Sequence, residues 1–349
     1  MLDQKLLEGW TLPSEAYLSE AFAQWEFEEL WPRAWSLLGD SSVLKEPRSY
    51  RCYDFFGESL VLIRDSQNEM RLLSNVCRHR AGPIFKKQQA RYKSLTCQYH
   101  AWSYKESGEL LRAPEMGQAK NFKLSDYCLP RFPLERWGPL LFSRLREGTS
   151  FKDWLGEISS EVPPELLSRL EYRERRDYSV RCNWKLYVDN YLEGYHLRSV
   201  HPRLSRELDY EAYRSETRAW HSRQWAPTRQ ESNIYTEGQS PEAHYYWLFP
   251  HLMLNLYQGI LQTNVVEPVG IDECRVRFDW WAIPEVSAKR LEELIGFSEE
   301  IQEEDREICE WVQKNLRSRF YRQGRYSPTR ENALHHFHQL IESIKKQIS

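Results

Sequence analysis

The sequence contains no long apolar run and no excess of charge of either sign. No segment approaches the roughly 20 apolar residues that cross a bilayer. Asp3 and Glu8 stand near the start, where a targeting peptide would be basic and apolar. The 48 Lys and Arg side chains against 51 Asp and Glu give a net charge of −3, which leaves no broad basic surface for nucleic acid or anionic lipid. We therefore expect a cytoplasmic protein that binds neither membranes nor nucleic acid.

Glycine-rich phosphate loops and a regular cysteine framework are also absent. No G-x-G-x-x-G motif follows a predicted strand, so the chain is not expected to hold a nicotinamide cofactor of its own. The seven cysteines, an odd number without disulfide-like spacing, suit a reducing compartment. Any redox chemistry would then draw its electrons from another protein.

Two short segments each pair one cysteine with one histidine. Cys77-Arg-His79 and, seventeen residues later, Cys97-Gln-Tyr-His100 offer two thiolates and two imidazoles. A Rieske [2Fe–2S] cluster needs this donor set, and it works at roughly −150 to +300 mV, above the roughly −400 mV of all-cysteine ferredoxins. The pattern therefore predicts a cluster that passes single electrons to an oxygen-activating centre.

A structural zinc site is the alternative use of the same four residues. Zinc fingers usually pair like with like, in C-x2-4-C and H-x3-5-H, whereas each segment here mixes the two residue types. The flanking sequence suits cluster loops at the tips of β-hairpins, because residues 50–56 and 59–64 are aromatic and β-branched runs divided by Gly57-Glu58. Iron and labile-sulfide analysis distinguishes the two kinds of site.

His196 and His201 are a second candidate metal pair. On a regular helix, two residues five apart lie about 140° apart, too far round to share a metal easily. Pro202 disfavours helical geometry at His201, so His201 is expected just past a helix end, from where it can turn back toward His196. By itself this pair is a weak signal, but beside a Rieske pattern it indicates a mononuclear iron site.

Non-haem Fe(II) oxygenases complete such a site with one carboxylate and leave positions open for O2 and substrate. Residues 301–316 have a helical pattern, and Asp305 lies on its apolar stripe, where a carboxylate is costly to bury unless it is paired or bound to metal. The stripe consists of Ile301, Ile308, Val312 and Leu316, and the charged residues expected to face mostly solvent are Glu303, Glu304, Arg306, Glu307 and Glu310. Pairing with an arginine is the alternative explanation for Asp305.

The character of the sequence changes along the chain. Residues 14–31 are predicted to form an amphipathic helix that ends before Pro32. Short β-like runs dominate from 36 to 145 and enclose the whole Cys/His pattern, and helical and strand-like segments mix after Pro163-Pro164. We predict an N-terminal helical segment at 1–35 that packs on the catalytic domain, an all-β Rieske domain at 36–148 and a catalytic domain at 149–349.

Together these motifs resemble the α subunits of Rieske non-haem iron oxygenases, in particular the choline monooxygenase and carnitine or betaine oxygenase branch. The resemblance rests on residues 75–80, 97–104, 183–202, 249–255, 324–327 and 335–338. It implies an α+β fold, in which an all-β Rieske domain precedes a catalytic domain whose antiparallel sheet is flanked by helices in the helix-grip manner. The implied ligands are Cys77, His79, Cys97 and His100 for the [2Fe–2S] cluster and His196, His201 and Asp305 for a mononuclear Fe(II).

Further roles follow from the resemblance alone. Glu193 occupies the position of a carboxylate that bridges a cluster histidine of one subunit to an iron-binding histidine of its neighbour, and Asn190 is a second candidate catalytic residue. The resemblance thus implies a homotrimer with electron transfer between subunits, supplied by a separate reductase or ferredoxin. His335, His336 and His338 are interpreted as packing or hydrogen-bonding residues.

The predicted activity is that of a terminal oxygenase component, which uses O2 and supplied electrons to hydroxylate or demethylate a small molecule. A quaternary ammonium compound such as choline, betaine or carnitine is the first candidate, because aromatic rings attract such cations. The candidate rings are Trp220, Trp225, Tyr235, Tyr245, Tyr246, Trp247 and Tyr257, and core packing is their alternative explanation. Aromatic ring dihydroxylation also stays open, as does a Rieske electron carrier without catalysis, although a carrier needs only about 100 residues.

Overall fold

A computed structural model describes residues 4–229 and 242–348. The chain divides into two compact units, one formed by Trp35–Glu147 and the other by Met1–Ala34 together with Gly148–Ser349. Within the described ranges, no helix combines the length and the apolar character that a bilayer crossing requires.

The unit Trp35–Glu147 consists mainly of short antiparallel strands. They are β1 (Ser36–Asp40), β2 (Ser49–Phe55), β3 (Glu58–Arg64), β4 (Met70–Ser74), β5 (Gln89–Arg91), β6 (Leu95–Thr96), β7 (Ser103–Tyr104), β8 (Leu110–Arg112), β9 (Arg131–Phe132), β10 (Glu135–Trp137) and β11 (Leu140–Ser143). Their orders in three sheets are β1-β11-β10, β5-β2-β3-β4-β9 and β6-β7-β8. The predicted all-β architecture of this unit is confirmed.

Strand β3 separates two hydrophobic cores within this unit. Successive side chains of a strand point to opposite faces, so a run of four apolar residues is buried on both sides. Val61 and Ile63 pack in the core that also contains Cys77 and Cys97. Leu60 and Leu62 pack in the other core. One face of β3 therefore shares a hydrophobic core with the cysteines of the two Cys/His segments.

The second unit is built on one antiparallel sheet with the order β12-β18-β17-β16-β15-β14-β13. Its strands are β12 (Glu171–Val180), β13 (Arg214–Thr217), β14 (His221–Pro227), β15 (Glu242–Leu248), β16 (Leu252–Tyr257), β17 (Ile260–Gly270) and β18 (Glu273–Ala282). Its α-helices are α1 (Gln4–Glu8), α2 (Glu15–Leu18), α3 (Glu20–Trp25), α4 (Phe151–Leu155), α5 (Ile158–Glu161), α6 (Pro164–Arg169), α7 (Trp184–Tyr191), α8 (Leu197–Val200), α9 (Leu204–Glu207), α10 (Ala288–Asn315) and α11 (Asn332–Ile348). This sheet with its helices confirms the predicted α+β class.

Charged residues protect one edge of this sheet. Strand β12 lies at the edge, and most of its side chains are charged and at least partly exposed. Edge strands with such side chains resist pairing with other chains. Beside it, the fully buried carboxylate of Asp279 accepts hydrogen bonds from Arg175 at 2.7 Å and from Arg277 at 3.1 Å, which compensates the cost of its burial.

The N-terminal segment differs from its prediction as a single helix. It breaks at Ser19, whose extended backbone begins a new helix and whose hydroxyl accepts from the N–H of Phe22. A π-helical turn at Glu26–Leu30 and a 3-10 turn at Trp31–Arg33 follow, so Pro32 lies inside helical structure rather than after it. Proline is tolerated in the first turn of a helix, which explains why the predicted end was wrong.

A buried ion pair anchors α7, the helix that leads into the His196 segment. Lys185 donates to Glu26 at 2.6 Å, and both side chains are almost fully buried. Trp184 donates its indole N–H to the other oxygen of Glu26 at 3.1 Å. Burial lowers the pKa of Lys185, and the charge of Glu26 opposes that shift. This paired charge fixes the start of α7, and hence the position of Asn190 near its end.

Candidate active site

The two Cys/His segments form loops of the same backbone design. In each loop the cysteine N–H donates to the carbonyl five residues later, at 2.8 Å for both Cys77 and Cys97. The cysteine carbonyl accepts from the N–H four residues later, at 3.1 Å from Ala81 and 3.2 Å from Ala101. Both alanines have left-handed backbones, with φ of 54° and 59°, which turn each chain back on itself.

The four side chains predicted as cluster ligands lie together at these loops. The rings of His79 and His100 are 4.6 Å apart, and the thiols of Cys77 and Cys97 are buried. The Nδ1 atoms of both histidines are buried without a hydrogen-bond partner. An unsatisfied buried nitrogen is costly, so each of these atoms requires a ligand. Two thiols and two such nitrogens fit a Rieske [2Fe–2S] cluster.

Neighbouring residues shape this cradle. A Cβ atom on Gly82 would lie 2.9 Å from the sulfur of Cys97, so only glycine leaves room for the thiol. The hydroxyl of Tyr104 lies 3.1 Å from the sulfur of Cys77, and His79 stacks on the ring of Trp102 at 4.7 Å. Hydrogen bonds to cluster sulfurs tune the reduction potential, so Tyr104 is placed to do so.

His196, His201 and Asp305 converge in the second unit. His196 precedes α8 and His201 follows it, with non-helical backbone before Pro202. Their Nε2 atoms are 3.1 Å apart. Asp305 Oδ1 lies 3.0 Å from His201 Nε2 and 3.9 Å from His196 Nε2. Metal–ligand bonds of about 2.1 Å at right angles set ligand atoms about 3 Å apart. The group therefore has the donor types and spacing of a 2-His-1-carboxylate site.

Three further side chains orient these groups. Glu193 Oε1 lies 2.5 Å from His196 Nδ1, and Glu304 Oε2 lies 2.6 Å from His201 Nδ1. The amide of Asn190 donates to Asp305 Oδ1 at 2.5 Å. A carboxylate on the outer nitrogen keeps the proton there, so that Nε2 presents its lone pair to a metal. The expectation that Glu304 faces mostly solvent was wrong, because His201 draws this carboxylate inward.

The electrostatics at His201 favour a positive charge. Its burial lowers the pKa of the imidazole, but the hydrogen bonds and charges of Asp305 and Glu304 outweigh burial and raise the pKa above its ordinary value. Two carboxylates thus surround one almost completely buried ring. A divalent cation at Nε2 supplies the positive charge that this arrangement favours.

Replacing Glu304 with alanine is expected to weaken metal binding at this site. His201 would lose the carboxylate that fixes its tautomer, and such changes typically cost about 10- to 100-fold in metal affinity. Chelator competition for Fe(II) measures the effect. Glu303→Ala is the matched control, because Glu303 lies one residue away on α10 and its side chain is exposed. Equal affinities for the two variants would show that Glu304 does not support the site.

A pocket of about 100 Å³ opens beside His196, His201 and Asp305. Its lining contains seven aromatic rings, which are Tyr187, Tyr191, Tyr213, Tyr245, Tyr257, Phe278 and Phe297. Of the rings proposed from the sequence, Tyr245 and Tyr257 are in this lining, whereas Tyr246 and Trp247 are buried in the core. Trp220 and Trp225 do not line the pocket, and Tyr235 lies outside the described residues. The aromatic wall was predicted, but most of its members were missed.

Four tyrosines of the pocket are neutral hydrogen-bonding groups. Burial raises the pKa of Tyr187 and Tyr191 well above the ordinary value and raises that of Tyr257 to about 12. Burial and the nearby charge of Glu193 likewise raise the pKa of Tyr213. The phenols therefore add aromatic faces and O–H groups to the pocket, without adding negative charge.

A buried hydrogen-bond network lies behind α7. His338 Nε2 is 2.9 Å from Asp189 Oδ1, and its Nδ1 is 2.7 Å from the hydroxyl of Tyr326. Tyr17 donates to the other oxygen of Asp189 at 2.7 Å. This network ties α11 and the N-terminal segment to the helix that carries Asn190. The hydrogen-bonding interpretation of His338 is confirmed.

The two sites define a class of protein. Loops that offer two thiols and two imidazoles, in the same chain as a 2-His-1-carboxylate group, belong to oxygenases that feed electrons from a Rieske cluster to a mononuclear iron. The family model of the Rieske [2Fe-2S] domain matches residues 34–127, and that of the ring hydroxylating alpha subunit (catalytic domain) matches residues 167–346. The chain belongs to the ring-hydroxylating alpha subunit family, and its cofactors are a Rieske [2Fe–2S] cluster and a mononuclear iron.

Known relatives agree with this assignment. The chain is 33% identical over 349 residues to the chloroplastic choline monooxygenase of Arabidopsis thaliana, covering 95% of this chain and 82% of the relative. It is 29% identical over 361 residues to the carnitine monooxygenase oxygenase subunit of Escherichia coli (strain K12), covering 97% and 95%. A solved quaternary ammonium Rieske monooxygenase, studied for carnitine oxidation by gut microbiota and inter-subunit electron transfer, matches with a TM-score of 0.84 and 25% identity, covering 96% and 95%. The predicted oxygenase activity is thus confirmed, in preference to an electron carrier or a zinc protein.

Proposed function

We propose that this chain monooxygenates a small quaternary ammonium compound. The observation that carries the proposal is the aromatic lining of the pocket beside His196, His201 and Asp305. Aromatic faces attract quaternary ammonium groups, by about 2 kcal/mol or more where water is excluded. Choline and carnitine, which the names of two relatives give as substrates, both carry a trimethylammonium group.

The charge balance of the pocket also favours a cationic substrate. Glu193, Glu304 and Asp305 place three carboxylates around the histidines. Fe(II) brings two positive charges, so the loaded centre retains a net negative charge. Within the described residues, neither lysine nor arginine lines the pocket. A cationic substrate is therefore attracted to this pocket, whereas an uncharged aromatic substrate gains no binding energy from the net charge.

We assign the iron to His196, His201 and Asp305 and the cluster to the four residues of the two loops. The donor types, the short distances among the three iron ligands and the unsatisfied histidine nitrogens support this assignment. Bound there, the iron would supply O2 activation with electrons that the cluster delivers. The overall reaction would consume O2, two electrons and two protons, place one oxygen atom in a C–H bond of the substrate and release the other as water.

The residues of the chain prepare this chemistry. Glu193 and Glu304 hold a proton on the outer nitrogens of His196 and His201, which keeps their Nε2 atoms free for the metal. Asn190 fixes the carboxylate of Asp305 by donating to Oδ1. The aromatic lining holds the ammonium group and displaces water, so that the adjacent C–H bonds face the metal.

The proposal includes partners and placement. A separate reductase or ferredoxin supplies electrons, and a homotrimer carries them from the cluster of one subunit through Glu193 to the iron of the next. Inter-subunit electron transfer in a solved relative supports this arrangement. We propose a Rieske domain at 36–148 and a catalytic domain at 149–349, on which the segment 1–35 packs. Cysteine usage favours a cytoplasmic location.

A single turnover without a reductase tests the activity. Iron-loaded protein is reduced anaerobically and mixed with choline, carnitine and an aromatic acid, and O2 is then admitted. Mass spectrometry is expected to show the gain of one oxygen atom or the loss of a methyl group on an ammonium compound. Gain of two oxygen and two hydrogen atoms on the aromatic acid would instead establish ring dihydroxylation and contradict the proposal.

A further inference from the structure

The amide nitrogen of Gln302 is a buried polar group that has no hydrogen-bond partner. Gln302 lies on α10 and is 2% exposed, and it lines the pocket beside Asp305. Its Oε1 accepts a short hydrogen bond from the hydroxyl of Tyr187, whereas its Nε2 has no hydrogen-bond partner. An amide N–H that is buried without an acceptor costs free energy, so a ligand that supplies an acceptor is favoured at this point.

The position of Gln302 suits a small substrate. It precedes Asp305 by three residues, and side chains three apart on a helix lie on the same face, about 5–6 Å apart between Cβ atoms. An oxygen atom bound by Gln302 would thus lie one helical turn from the carboxylate assigned to the iron. The span between them fits a short tail of a few atoms.

Two other amides of the pocket, Gln262 and Gln224, are occupied by the protein. Gln262 donates to Asn264 Oδ1 at 2.8 Å, and its own Oε1 accepts from Ser298 at 2.9 Å. Gln224 donates to the carbonyl of Tyr191 at 2.8 Å and accepts from the hydroxyl of Tyr213 at 3.0 Å. These bonds fix neutral groups in place around the pocket. Gln302 Nε2 differs from them in offering a free N–H group.

Nothing in the described lining neutralises a substrate carboxylate. Burial raises the pKa of Tyr257 and Tyr213, and the positive charges of Arg290 and Arg330 respectively oppose that rise, but neither arginine lines the pocket. The sequence of residues 230–241 contains neither lysine nor arginine. A carboxylate would be buried without a cationic side chain and would face the net negative charge of the centre, which is strongly unfavourable.

We propose that Gln302 is a specificity-determining residue, whose Nε2 donates to a neutral oxygen of the substrate. The pocket then selects quaternary ammonium compounds that carry a hydroxyl or carbonyl oxygen and disfavours those that carry a carboxylate. This inference rests on the proposed function, because it takes the ammonium group to lie among the aromatic rings. It adds to that function the kind of oxygen group that the substrate carries besides its ammonium group, and the residue that binds this oxygen.

Binding to the iron-loaded, anaerobically reduced protein tests the inference without turnover. Calorimetry compares choline, which has a hydroxyl, with tetramethylammonium, which has no oxygen, and with carnitine, which has a carboxylate. Choline is expected to bind at least about tenfold more tightly than carnitine. Gln302→Met is expected to weaken choline roughly 3- to 10-fold and to leave tetramethylammonium unchanged, because a neutral hydrogen bond is lost only for choline.

Gln313→Met is the matched control on the same helix. Gln313 is also a buried amide, but it accepts from the N–H of Asn183 at 2.8 Å and donates to Asp272 at 2.6 Å. Its replacement is expected to lower stability without changing the ratio of choline to tetramethylammonium affinity. Gln302→Met also removes the hydrogen-bond acceptor of Tyr187, which weakens both ligands alike if it disturbs the pocket. The ratio of the two affinities is unchanged by such a common effect.

Each outcome separates the inference from the function on which it rests. Equal weakening of choline and tetramethylammonium by Gln302→Met would assign Gln302 a structural role and overturn the inference. Carnitine bound as tightly as choline would overturn the exclusion of carboxylates. If none of the three ammonium compounds binds, the proposed quaternary ammonium substrate fails, and the inference fails with it.

Discussion

Asp305→Ala is expected to remove the mononuclear iron and to leave the Rieske cluster in place. Asp305 supplies the carboxylate oxygen of the group, and its Oδ1 is 3.0 Å from His201 Nε2. Two neutral imidazoles alone hold Fe(II) poorly, because the site loses its carboxylate oxygen and keeps only two of its three ligand atoms. Iron per chain is expected to fall from about three atoms to about two, while labile sulfide and the visible cluster spectrum stay unchanged. Oxygenation of any substrate then stops.

Glu307→Ala is the matched control for this loss. Glu307 is an exposed acid on α10, two residues after Asp305, so it removes a carboxylate from the same helix without touching the metal group. This variant is expected to retain all of its iron and its activity. Full iron content in Asp305→Ala would show that the third ligand lies elsewhere in the chain.

The cluster loops were predictable because their determinants are local in sequence. Both ligands of each loop lie within four residues, and the hydrogen bonds that close each loop join residues four or five positions apart. Short-range patterns of this kind survive in the sequence whatever the rest of the fold does. The unsatisfied nitrogens of His79 and His100 depend on how the two loops meet, and no local pattern reports that.

The register of α10 was harder to predict. The apolar pattern placed Ile301, Ile308, Val312 and Leu316 on the buried face, whereas Val312 is 38% exposed. The buried face also carries polar residues, including Gln302 and Gln313, each with a partner from another element. Hydrophobicity alone cannot identify such residues, because bonds to distant parts of the chain compensate the burial of Gln313 and of the Oε1 atom of Gln302.

Glu304 shows the same limit at the site itself. It is a charged residue beside the exposed Glu303, so hydrophobicity gives no reason to turn it inward, although its spacing from Ile301 and Ile308 places it near them on the helix. Its hydrogen bond to His201 joins residues 103 positions apart. The prediction of the aromatic lining was incomplete for the same reason. Its missing members include Tyr187, Tyr213, Phe278 and Phe297, which come from separate parts of the chain that only the fold brings together.

Glu193→Gln is expected to leave both metal sites loaded and to slow electron transfer from cluster to iron by about 10- to 100-fold or more. The two oxygens of Glu193 accept from His196 Nδ1 and from the N–H groups of Tyr195 and His196. An ionised carboxylate only accepts hydrogen bonds, whereas an amide must turn an NH2 group toward one set of these donors. The amide also loses the negative charge that, in the proposed homotrimer, links two imidazoles across a subunit boundary. Stopped-flow oxidation of the reduced cluster, with substrate and O2 present, measures the rate.

Glu331→Gln separates the bridge from the general charge of the region. Glu331 and Glu193 both line a cavity on the other side of α7 from the iron ligands, between α7, α10 and α11. Burial is the largest cause that raises the pKa of Glu331, and the negative charges of Glu193 and Asp189 raise it further. If negative charge near α7 were sufficient to drive the transfer, both substitutions would slow cluster oxidation alike. A bridge through one carboxylate predicts a slow step in Glu193→Gln alone, with iron content retained in both variants. Normal product formation by Glu193→Gln would remove Glu193 from the electron path and, with it, the main reason to expect transfer between subunits.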